Sequence, residues 1–495
     1  MTAQFIAKLI AFILYLGVMI YVGLRNASKN NSSADFFLGG RKVGPWVTAL
    51  SAEASDSSAW LLMGLPGLCY LGGVQESIWT AVGLILGTYL SWLFVAKPLR
   101  KCSITFGDSI TIPEFLSNRF NDKTHLLSVV SVIFIVLFFT IYTASGFVAC
   151  AKLFNSVFGI NYHAGLAIGL VVILCYTVTG GYTAVCTTDF IQGSLIFIAF
   201  VVSTIIAVFV IGTGNTAQVF KNFQEVTGTE LQAFNGMGIV SALAWGLGYF
   251  GMPHIIVRFM GIRSNSEIGK ARRIGIIWMV ISYIGAILIG TLGTVYLKKY
   301  GITLDSVSAE TVFSATMQNM YPAFIAGIFL CAILAASMST ADSQLLAASS
   351  AVSQDIFKGL IKKDAEEKDV LIVSRFTVFL IALIALLLSL NPSSSIFNLV
   401  SFAWSGFGGT FGPLVLLALY WKRTTAPGAI AGLVCGGVVD VVWHYIPASV
   451  NPIFGLYEIV PAFLICLIVT VVVSLCTKQN EEVAAKFEEY KNMAD

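Results

Sequence analysis

The chain has 495 residues, of which 57% are hydrophobic and only 11% are charged. Soluble domains carry roughly 25% charged residues, so this composition excludes a water-soluble globular protein. The formal net charge of +3 says little about partners. Nothing in the composition points to nucleic acid, and we expect a membrane protein.

Apolar runs near twenty residues long recur throughout the chain, and each can cross about 30 Å of hydrocarbon as a helix. The sequence predicts an all-α membrane protein of about thirteen transmembrane helices, with one membrane domain. The predicted spans lie at about residues 6–24, 46–71, 78–97, 125–151, 163–180, 190–212, 239–257, 274–297, 322–351, 370–391, 396–420, 428–446 and 454–476.

The first span resembles a signal peptide only superficially. Lys8 is its only leading charge, no small-residue cleavage site follows, and the basic cluster lies on its far side. We predict a membrane helix. The nine cysteines show no CxxC pattern and no histidine at ligand spacing, so they are predicted to be packing residues.

The distribution of basic residues predicts the orientation. If the N-terminus is outside, loops on the cytoplasmic side hold 24 of the 29 Lys and Arg residues, including the group from Arg258 to Arg273. Cytoplasmic loops are enriched in Lys and Arg. We therefore expect the N-terminus outside and the C-terminus in the cytoplasm, where residues 477–495 form an acidic, helical tail.

The second span contains carboxylates in an otherwise apolar run. Glu53 and Asp56 lie there among Ser51, Ser55, Ser57 and Ser58. A carboxylate near the membrane centre costs at least about 2.5 kcal/mol and normally faces a cavity or partner. Successive serines can compete for backbone groups. The pattern predicts a locally unwound helix, with a polar packing face as the alternative.

The seventh span carries Gly246, Gly248, Gly251 and Pro253, too many helix breakers for an unbroken helix. Two interrupted segments five spans apart are typical of inverted-repeat transporters. The predicted organisation is an extra helix and cytoplasmic loop (1–45), a first repeat (46–212), an extracellular loop (213–238), a second repeat (239–420), two further helices (421–476) and the tail.

The ninth span contains small polar residues on one helix face. Ala336, Ser339, Thr340 and Ser343 lie three or four positions apart. Taken alone, this pattern favours helix packing. If the face meets the break in the second span, hydroxyl oxygens and freed main-chain carbonyls would form an oxygen cage suited to a small hard cation.

Five segments in this order, TALSAEASDSSAWLLMGLPG, FFTIYTASG, WGLGYFGMPHI, ILAASMST and SFAWSGFGGTFGP, together resemble the sodium/solute symporter family, most closely its proline-carrying branch. The resemblance spans about residues 35–457. It implies the broken-helix, inverted-repeat core of amino-acid/sodium symporters. It also implies a transporter with no enzymatic activity and no cofactor besides the coupling sodium ion.

The resemblance also implies site residues. Asp56 corresponds to an acid needed for sodium-dependent transport, and Arg41 to a functionally sensitive position on the cytoplasmic side, where gating would explain its effect. The sodium ligands would be main-chain oxygens of Ala54, Ser57 and Ala336 with the hydroxyls of Ser339 and Thr340. The proline-binding residues would be Tyr142, Trp245, Tyr249 and Pro253.

The chemistry of this set suits a zwitterion. Aromatic faces can enclose the pyrrolidine ring, and amides at a half-helix N-terminus can hold the carboxylate. No Lys or Arg lies within the predicted spans that form the site. A substrate with several negative charges would therefore lack a counter-ion.

Some residues depart from the proline-carrier pattern or have no fixed role. Glu53, Ser57, Ala59 and Asp342 stand where smaller or less polar residues are common, and Asp342 could add charge near a cation path. Asp189 has two interpretations, the cytoplasmic exit path or the N-cap of the sixth span. Asp440 lies near an outer boundary and receives no role.

The sequence thus predicts a secondary active transporter that couples sodium influx to L-proline uptake by alternating access. The alternatives are a sodium symporter for another small solute, such as another amino acid, pantothenate or a sugar acid, and a sodium channel. An intramembrane enzyme is disfavoured because no HExxH or GxSxG motif occurs. The predicted partners are proline, sodium and the lipid bilayer.

Overall fold

The computed structural model describes residues 2–27, 33–71, 74–211, 221 and 236–493. Within these ranges the regular structure is helical, apart from one isolated bridge between Val43 and Ile262. The helices are α1 (Ala3–Ala27), α2 (Ser33–Leu38), α3 (Pro45–Ala59), α4 (Leu65–Tyr70), α5 (Val74–Phe94), α6 (Ala96–Thr105), α7 (Ile112–Phe120), α8 (Leu126–Phe158), α9 (Tyr162–Ile211), α10 (Gly236–Ala244), α11 (Pro253–Gly261), α12 (Ile268–Lys299), α13 (Val312–Met320), α14 (Ala323–Ser350), α15 (Glu367–Leu388), α16 (Ile396–Tyr420), α17 (Ala426–Tyr445), α18 (Ile459–Cys476) and α19 (Glu481–Asn492).

Ten helices in the described ranges are long and apolar enough to cross a membrane, and the bent pair Gly236–Phe250 and Pro253–Gly261 raises this number to as many as eleven. Their lipid-facing sides expose large apolar side chains such as Phe209, Phe376 and Tyr21. The protein is therefore a multi-pass, all-helical membrane protein. The count of thirteen spans stays a prediction.

Each predicted span has a helical counterpart, but two of them are joined. Residues 163–180 and 190–211 of these spans form parts of the single helix α9, which is kinked at Gly181 (φ 63°, ψ −178°). The predicted tail helix is present as α19. Most of the predicted loop at 213–238 lies outside the described residues.

The second span is interrupted, as predicted. Ser58 adopts φ 41° and ψ −178° inside the helical run, and its side chain accepts a hydrogen bond from the Trp60 amide (3.1 Å). A π-helical turn, Trp60–Gly64, then leads into α4. The left-handed φ of Ser58 breaks the normal i to i−4 ladder at the buried middle of the span.

The seventh span is also interrupted, as predicted. After α10 the chain forms the 3₁₀ segment Trp245–Phe250, and Met252 is extended before Pro253 opens α11. The two parts are bent by 43°. Proline suits the first turn of a helix because it has no amide hydrogen to leave unpaired.

Glycine allows the 3₁₀ segment to pack main chain to main chain against α5. A Cβ at Gly246 would lie 2.3 Å from the Gly83 carbonyl oxygen, and one at Gly87 would lie 2.2 Å from the Gly246 oxygen. Small residues let membrane helices approach this closely. The broken span is therefore held against α5 by backbone contact.

We expect Gly246→Val to destabilise the purified protein, because the added side chain must displace backbone. Overpacking costs about 1–3 kcal/mol when neighbours can adjust, and a clash with main chain should cost at least that. The measurement is thermal unfolding in detergent. Gly17→Val, where no atom lies within 4 Å of a new Cβ, is the matched control. Equal melting temperatures for the two variants would contradict this packing.

Candidate functional site

The turn before the break at Ser58 points its carbonyl oxygens at three other helices. The Ala54 oxygen accepts from the Ser339 hydroxyl on α14 (2.8 Å), and the Ser55 oxygen from His254 Nε2 on α11 (3.2 Å). The Asp56 oxygen accepts from the Tyr142 hydroxyl on α8 (3.4 Å). The break thus gathers α3, α8, α11 and α14 around one turn of backbone.

Three of the five predicted sodium ligands meet here. The Ser339 hydroxyl lies 2.8 Å from the Ala54 oxygen and 3.2 Å from the Ala336 oxygen. Two carbonyl oxygens and one hydroxyl oxygen therefore converge between α3 and α14. Hard cations prefer such neutral and anionic oxygen ligands.

The other two predicted sodium ligands, Thr340 and Ser57, are not part of this hydrogen-bonded group. The Thr340 side chain is only 3% exposed, and its hydroxyl has no hydrogen-bond partner among the described residues. The Ser57 carbonyl accepts from the Trp60 amide, and the Ser57 hydroxyl donates to the Glu53 oxygen (2.6 Å). A buried hydroxyl without a partner is costly, so Thr340 fits a cation ligand.

Asp56 lies beside this oxygen cluster and joins it to the aromatic residues. The Tyr249 hydroxyl donates to Asp56 Oδ2, and Tyr249 is anchored by the Ser91 hydroxyl, which donates to its carbonyl (2.8 Å). Asp56 is 6% exposed and Tyr249 is 1% exposed. The structure thus brings Asp56, Tyr142 and Tyr249 together.

Trp245 lies in an aromatic stack, and it is the one member of that stack that the sequence predicts as a site residue. Its ring stacks on Trp60 (centroids 5.2 Å apart) and on Tyr457 (5.3 Å), and it also contacts Phe397 (5.5 Å). The sequence pattern does not indicate Trp60, Tyr457 or Phe397. Trp60 could have been found, because it lies two residues after the predicted break.

Pro253 lies away from that stack. It lines a narrow cavity that also contains Tyr182, Arg258 and Ser343. It begins α11, so its main role in the fold is to restart the helix after the extended Met252. The structure therefore places Pro253 beside a second polar cluster.

This second cluster centres on Arg258, which the sequence analysis assigned to a cytoplasmic loop. The structure corrects this, since Arg258 belongs to α11 and is 2% exposed. Its guanidinium forms an ion pair with Asp189 (3.3 Å) and donates to the hydroxyls of Ser51 and Ser343. The carboxylate and hydroxyl partners explain why an arginine can be buried there.

Asp189 is completely buried and accepts from the Ser51 hydroxyl (2.7 Å). Its N-cap interpretation is wrong, because the helix continues from Gly181 to Ile211 and Asp189 lies inside it. The exit-path interpretation remains a prediction.

The other predicted polar residues lie around the two clusters. Asp342 faces Asp189 and Arg258, and its Oδ1 accepts from Ser343 (3.2 Å). Glu53 accepts from the Trp92 indole (3.2 Å). The Glu53 contact thus joins α3 to α5, whereas the Asp342 hydrogen bond stays within α14.

Arg41 lies apart from the sodium ligands. It pairs with Asp108 (2.9 Å) and donates to the carbonyls of Met260 (2.8 Å) and Ser109 (2.9 Å). Burial lowers the pKa of the Arg41 guanidinium, and the Asp108 carboxylate opposes that shift. Arg41 therefore ties the segment before α3 to the end of α11 and to the loop between α6 and α7.

Comparison with known proteins identifies the family. The model of the sodium:solute symporter family matches residues 36–436. The chain belongs to the sodium:solute symporter family. Members named sodium/proline symporter, from Staphylococcus aureus strains JH9 and NCTC 8325 / PS 47, are each 44% identical over 477 residues, covering 94% of this chain and 92% of theirs.

Solved structures of transporters share the fold of this symporter-family chain. The substrate-bound outward-open state of a Na⁺-coupled sialic acid symporter aligns with a TM-score of 0.78 at 20% identity, covering 96% of this chain and 99% of that one. A nucleobase-cation-symport-1 family transporter in a closed conformation aligns with a TM-score of 0.52 at 13% identity, covering 93% and 99%.

We expect Tyr249→Phe to lower the thermal stability of the purified symporter, because Asp56 Oδ2 loses its donor. Hydrogen bonds to charged groups contribute about 1.5–3 kcal/mol. Tyr445→Phe, at a residue that is 74% exposed, removes the same hydroxyl from the surface and should leave the melting temperature unchanged. A Tyr249→Phe protein as stable as this control would show that the contact is dispensable.

We expect Asp189→Asn to destabilise the protein by about 3–5 kcal/mol, because it removes the carboxylate that forms an ion pair with the buried Arg258. The double variant Asp189→Asn, Arg258→Gln should recover part of that loss. Thermal unfolding of Asp189→Asn, of Arg258→Gln and of the double variant forms a double-mutant cycle. If the stability losses of the two single variants simply add up in the double variant, the two side chains are not coupled and the ion pair is contradicted.

Proposed function

We propose that this chain couples the inward movement of sodium to the uptake of L-proline. The observation that carries the proposal is the meeting of the Ser339 hydroxyl with the Ala54 carbonyl at the break in α3, next to Asp56. The Staphylococcus aureus relatives named sodium/proline symporter support this choice of ion and solute. No enzymatic step is needed.

The proposed sodium site consists of the carbonyl oxygens of Ala54, Ser57 and Ala336 and the hydroxyls of Ser339 and Thr340. The unpartnered Thr340 hydroxyl supports it, because a cation would satisfy that oxygen. Asp56, which lies between Ala54 and Ser57 in the chain, supplies negative charge beside the site. A site without a carboxylate ligand favours modest affinity and easy release of the ion.

Proline would bind beside Asp56, against the rings of Tyr142, Trp245 and Tyr249. Trp60, stacked on Trp245, extends the aromatic wall. Pro253 would shape the inner edge of the pocket, and the amides at the start of α11 would attract the carboxylate. Since Arg258 is already paired with Asp189, the pocket still favours a zwitterion over an anion.

We further propose the finer topology. Thirteen spans would place the N-terminus outside and the C-terminus in the cytoplasm of the cell (plasma or inner) membrane. The two broken spans would begin inverted repeats at 46–212 and 239–420, with 213–238 as the extracellular loop. In this orientation Arg41 and Asp189 lie on the cytoplasmic side, where Arg41 would help close the inner gate and Asp189 would line the exit path.

Transport would proceed by alternating access. Sodium binding between α3 and α14 would fix the outward-open arrangement and order the proline pocket, after which the helices rock and both solutes leave inward. One sodium crossing 100 mV releases about 2.3 kcal/mol, and a tenfold gradient adds about 1.4. Together these support roughly 500-fold accumulation of a neutral zwitterion.

We expect the double variant Ser339→Ala, Thr340→Val to lose sodium-stimulated proline uptake, because two ligand hydroxyls are removed. Uptake of labelled proline into vesicles, with and without a sodium gradient, measures this. Ser337→Ala, on the same helix but hydrogen-bonded to the Ile333 carbonyl, is the matched control. Unchanged sodium stimulation in a double variant present in the membrane would refute the sodium site.

Substrate identity is tested by competition. Unlabelled proline should displace labelled proline, while other amino acids, pantothenate and sugar acids should compete weakly. Strong displacement by one of the others would assign that solute instead. A sodium-dependent current without solute accumulation would identify a channel.

A further inference from the structure

A groove of about 380 Å³ opens on the outer surface of the helix bundle, between α3, α9 and α12. Three of its lining residues are more than half exposed, namely Trp46 (54%), Ile198 (52%) and Ile277 (60%). Because α9 and α12 contain candidate membrane spans, these large apolar side chains face hydrocarbon. The groove is therefore open to the acyl chains of the bilayer.

One end of the groove carries positive charge. On α12, Lys270 and Arg273 lie four positions before Ile274 and Ile277, which line the groove. Residues four apart share one face of a helix, so both basic residues belong to the groove face. Both are exposed, and α12 contains no Asp or Glu.

The other charged residues near this end are engaged elsewhere. Glu267, the residue just before α12, accepts from Arg263 (2.8 Å). Arg272 lies over the ring of Tyr89 on α5, 5.6 Å from its centroid. The positive charge on the groove face is thus not balanced by an acid on this helix.

Trp46 lies at the same end of the groove. Val43 pairs with Ile262 in a parallel bridge, and a Cβ at Gly275 would lie 2.5 Å from Glu53 Oε1, so α3 and α12 run in the same direction. The start of α3, where Trp46 lies, is therefore level with the start of α12. Tryptophan is enriched at the membrane–water interface, where lipid headgroups lie.

An anionic phospholipid matches all of these features. Its acyl chain is as apolar as the walls of the groove, and its phosphate has the opposite charge to Lys270 and Arg273. Basic pockets between membrane helices bind acidic headgroups in this way. We propose that the groove between α3, α9 and α12 binds an anionic phospholipid from the leaflet at the basic end, which is the cytoplasmic leaflet in the proposed orientation.

The groove borders the turn of α3 that precedes the proposed sodium ligands. Leu50 lines the groove one turn before Ala54. A Cβ at Gly193 on α9 would lie 3.1 Å from the Ala54 Cβ, and the Trp278 indole in the groove donates to the Gly193 carbonyl (2.9 Å). A bound acyl chain would thus hold α3, α9 and α12 together beside Ala54. We expect it to favour the arrangement in which the Ala54 carbonyl meets Ser339.

Native mass spectrometry of the full-length protein in detergent tests the site, with phosphatidylglycerol and phosphatidylcholine of identical acyl chains as probes. We expect phosphatidylglycerol to bind one to one and more tightly than phosphatidylcholine. The double variant Lys270→Gln, Arg273→Gln should bind phosphatidylglycerol about 30-fold more weakly, since each basic residue near an anionic headgroup contributes about fivefold. Lys478→Gln, Lys486→Gln, which removes two exposed basic residues elsewhere, is the matched control and should bind like the wild type.

Equal binding of the two lipids by the wild type would overturn the proposal, because no headgroup attraction would then exist. An equal loss of phosphatidylglycerol in both double variants would also overturn it, since the attraction would then be non-specific. A second copy of the chain bound in place of lipid would identify the groove as a dimer interface instead.

The position of the acyl chain is tested with Ile277→Trp. The larger ring would occupy space in the groove, and the exposed position should tolerate it. We expect about 15-fold weaker binding of phosphatidylglycerol, the effect of displacing roughly two methylene groups. Ile372→Trp, on α15 and 54% exposed, is the matched control. Unchanged binding by Ile277→Trp would show that the lipid lies outside this groove.

The effect on transport rests on the proposed sodium-coupled uptake of proline. In proteoliposomes, replacing phosphatidylcholine by phosphatidylglycerol should lower the sodium concentration for half-maximal uptake by the wild type but not by Lys270→Gln, Arg273→Gln. An equal decrease in both proteins would contradict the link between the groove and Ala54. Absence of proline uptake in either lipid would refute the proposed function, while the mass spectra would still decide the lipid site.

Discussion

The rest of the site depends on the need to satisfy backbone carbonyls where α3 breaks inside the membrane. Lipid offers no hydrogen-bond donors, and each unsatisfied group costs several kcal/mol. The carbonyl oxygens of Ala54, Ser55 and Asp56 therefore accept hydrogen bonds from side chains on three other helices. The break fixes the relative positions of α3, α8, α11 and α14.

Buried charged side chains likewise need hydrogen-bond or ion-pair partners within the protein. Asp189 and Arg258 neutralise each other, Asp56 is held by Tyr249, and Glu53 by Trp92.

Much of this architecture was predictable because it follows from local composition. Serines around Asp56 and glycines around Tyr249 identified both interrupted spans, and the spacing of Ala336, Ser339 and Thr340 identified the opposing face. Arg258 was not predictable, since its burial depends on Asp189, sixty-nine positions earlier in the chain. Likewise, Trp60 and Tyr457 join Trp245 only through tertiary packing, which no local pattern encodes.

The N-cap interpretation of Asp189 was wrong for a related reason. It assumed a helix start at the polar residue, whereas the kink lies eight residues earlier at Gly181, whose positive φ few other residues tolerate. The span count stays open for a similar reason, because a kinked or bent helix does not reveal from its length alone how many times it crosses the bilayer.

The glycines of the 3₁₀ segment bear on how far the range of solutes can be re-engineered. Gly248 packs against the Trp404 indole, Gly251 against the backbone of Gly412, and Gly246 against that of Gly83. The distance between the walls of the proposed proline pocket is therefore set by main chain. Replacing Tyr142 or Trp245 would change the lining of the pocket but not its width. Admitting a bulkier solute would require moving whole helices apart.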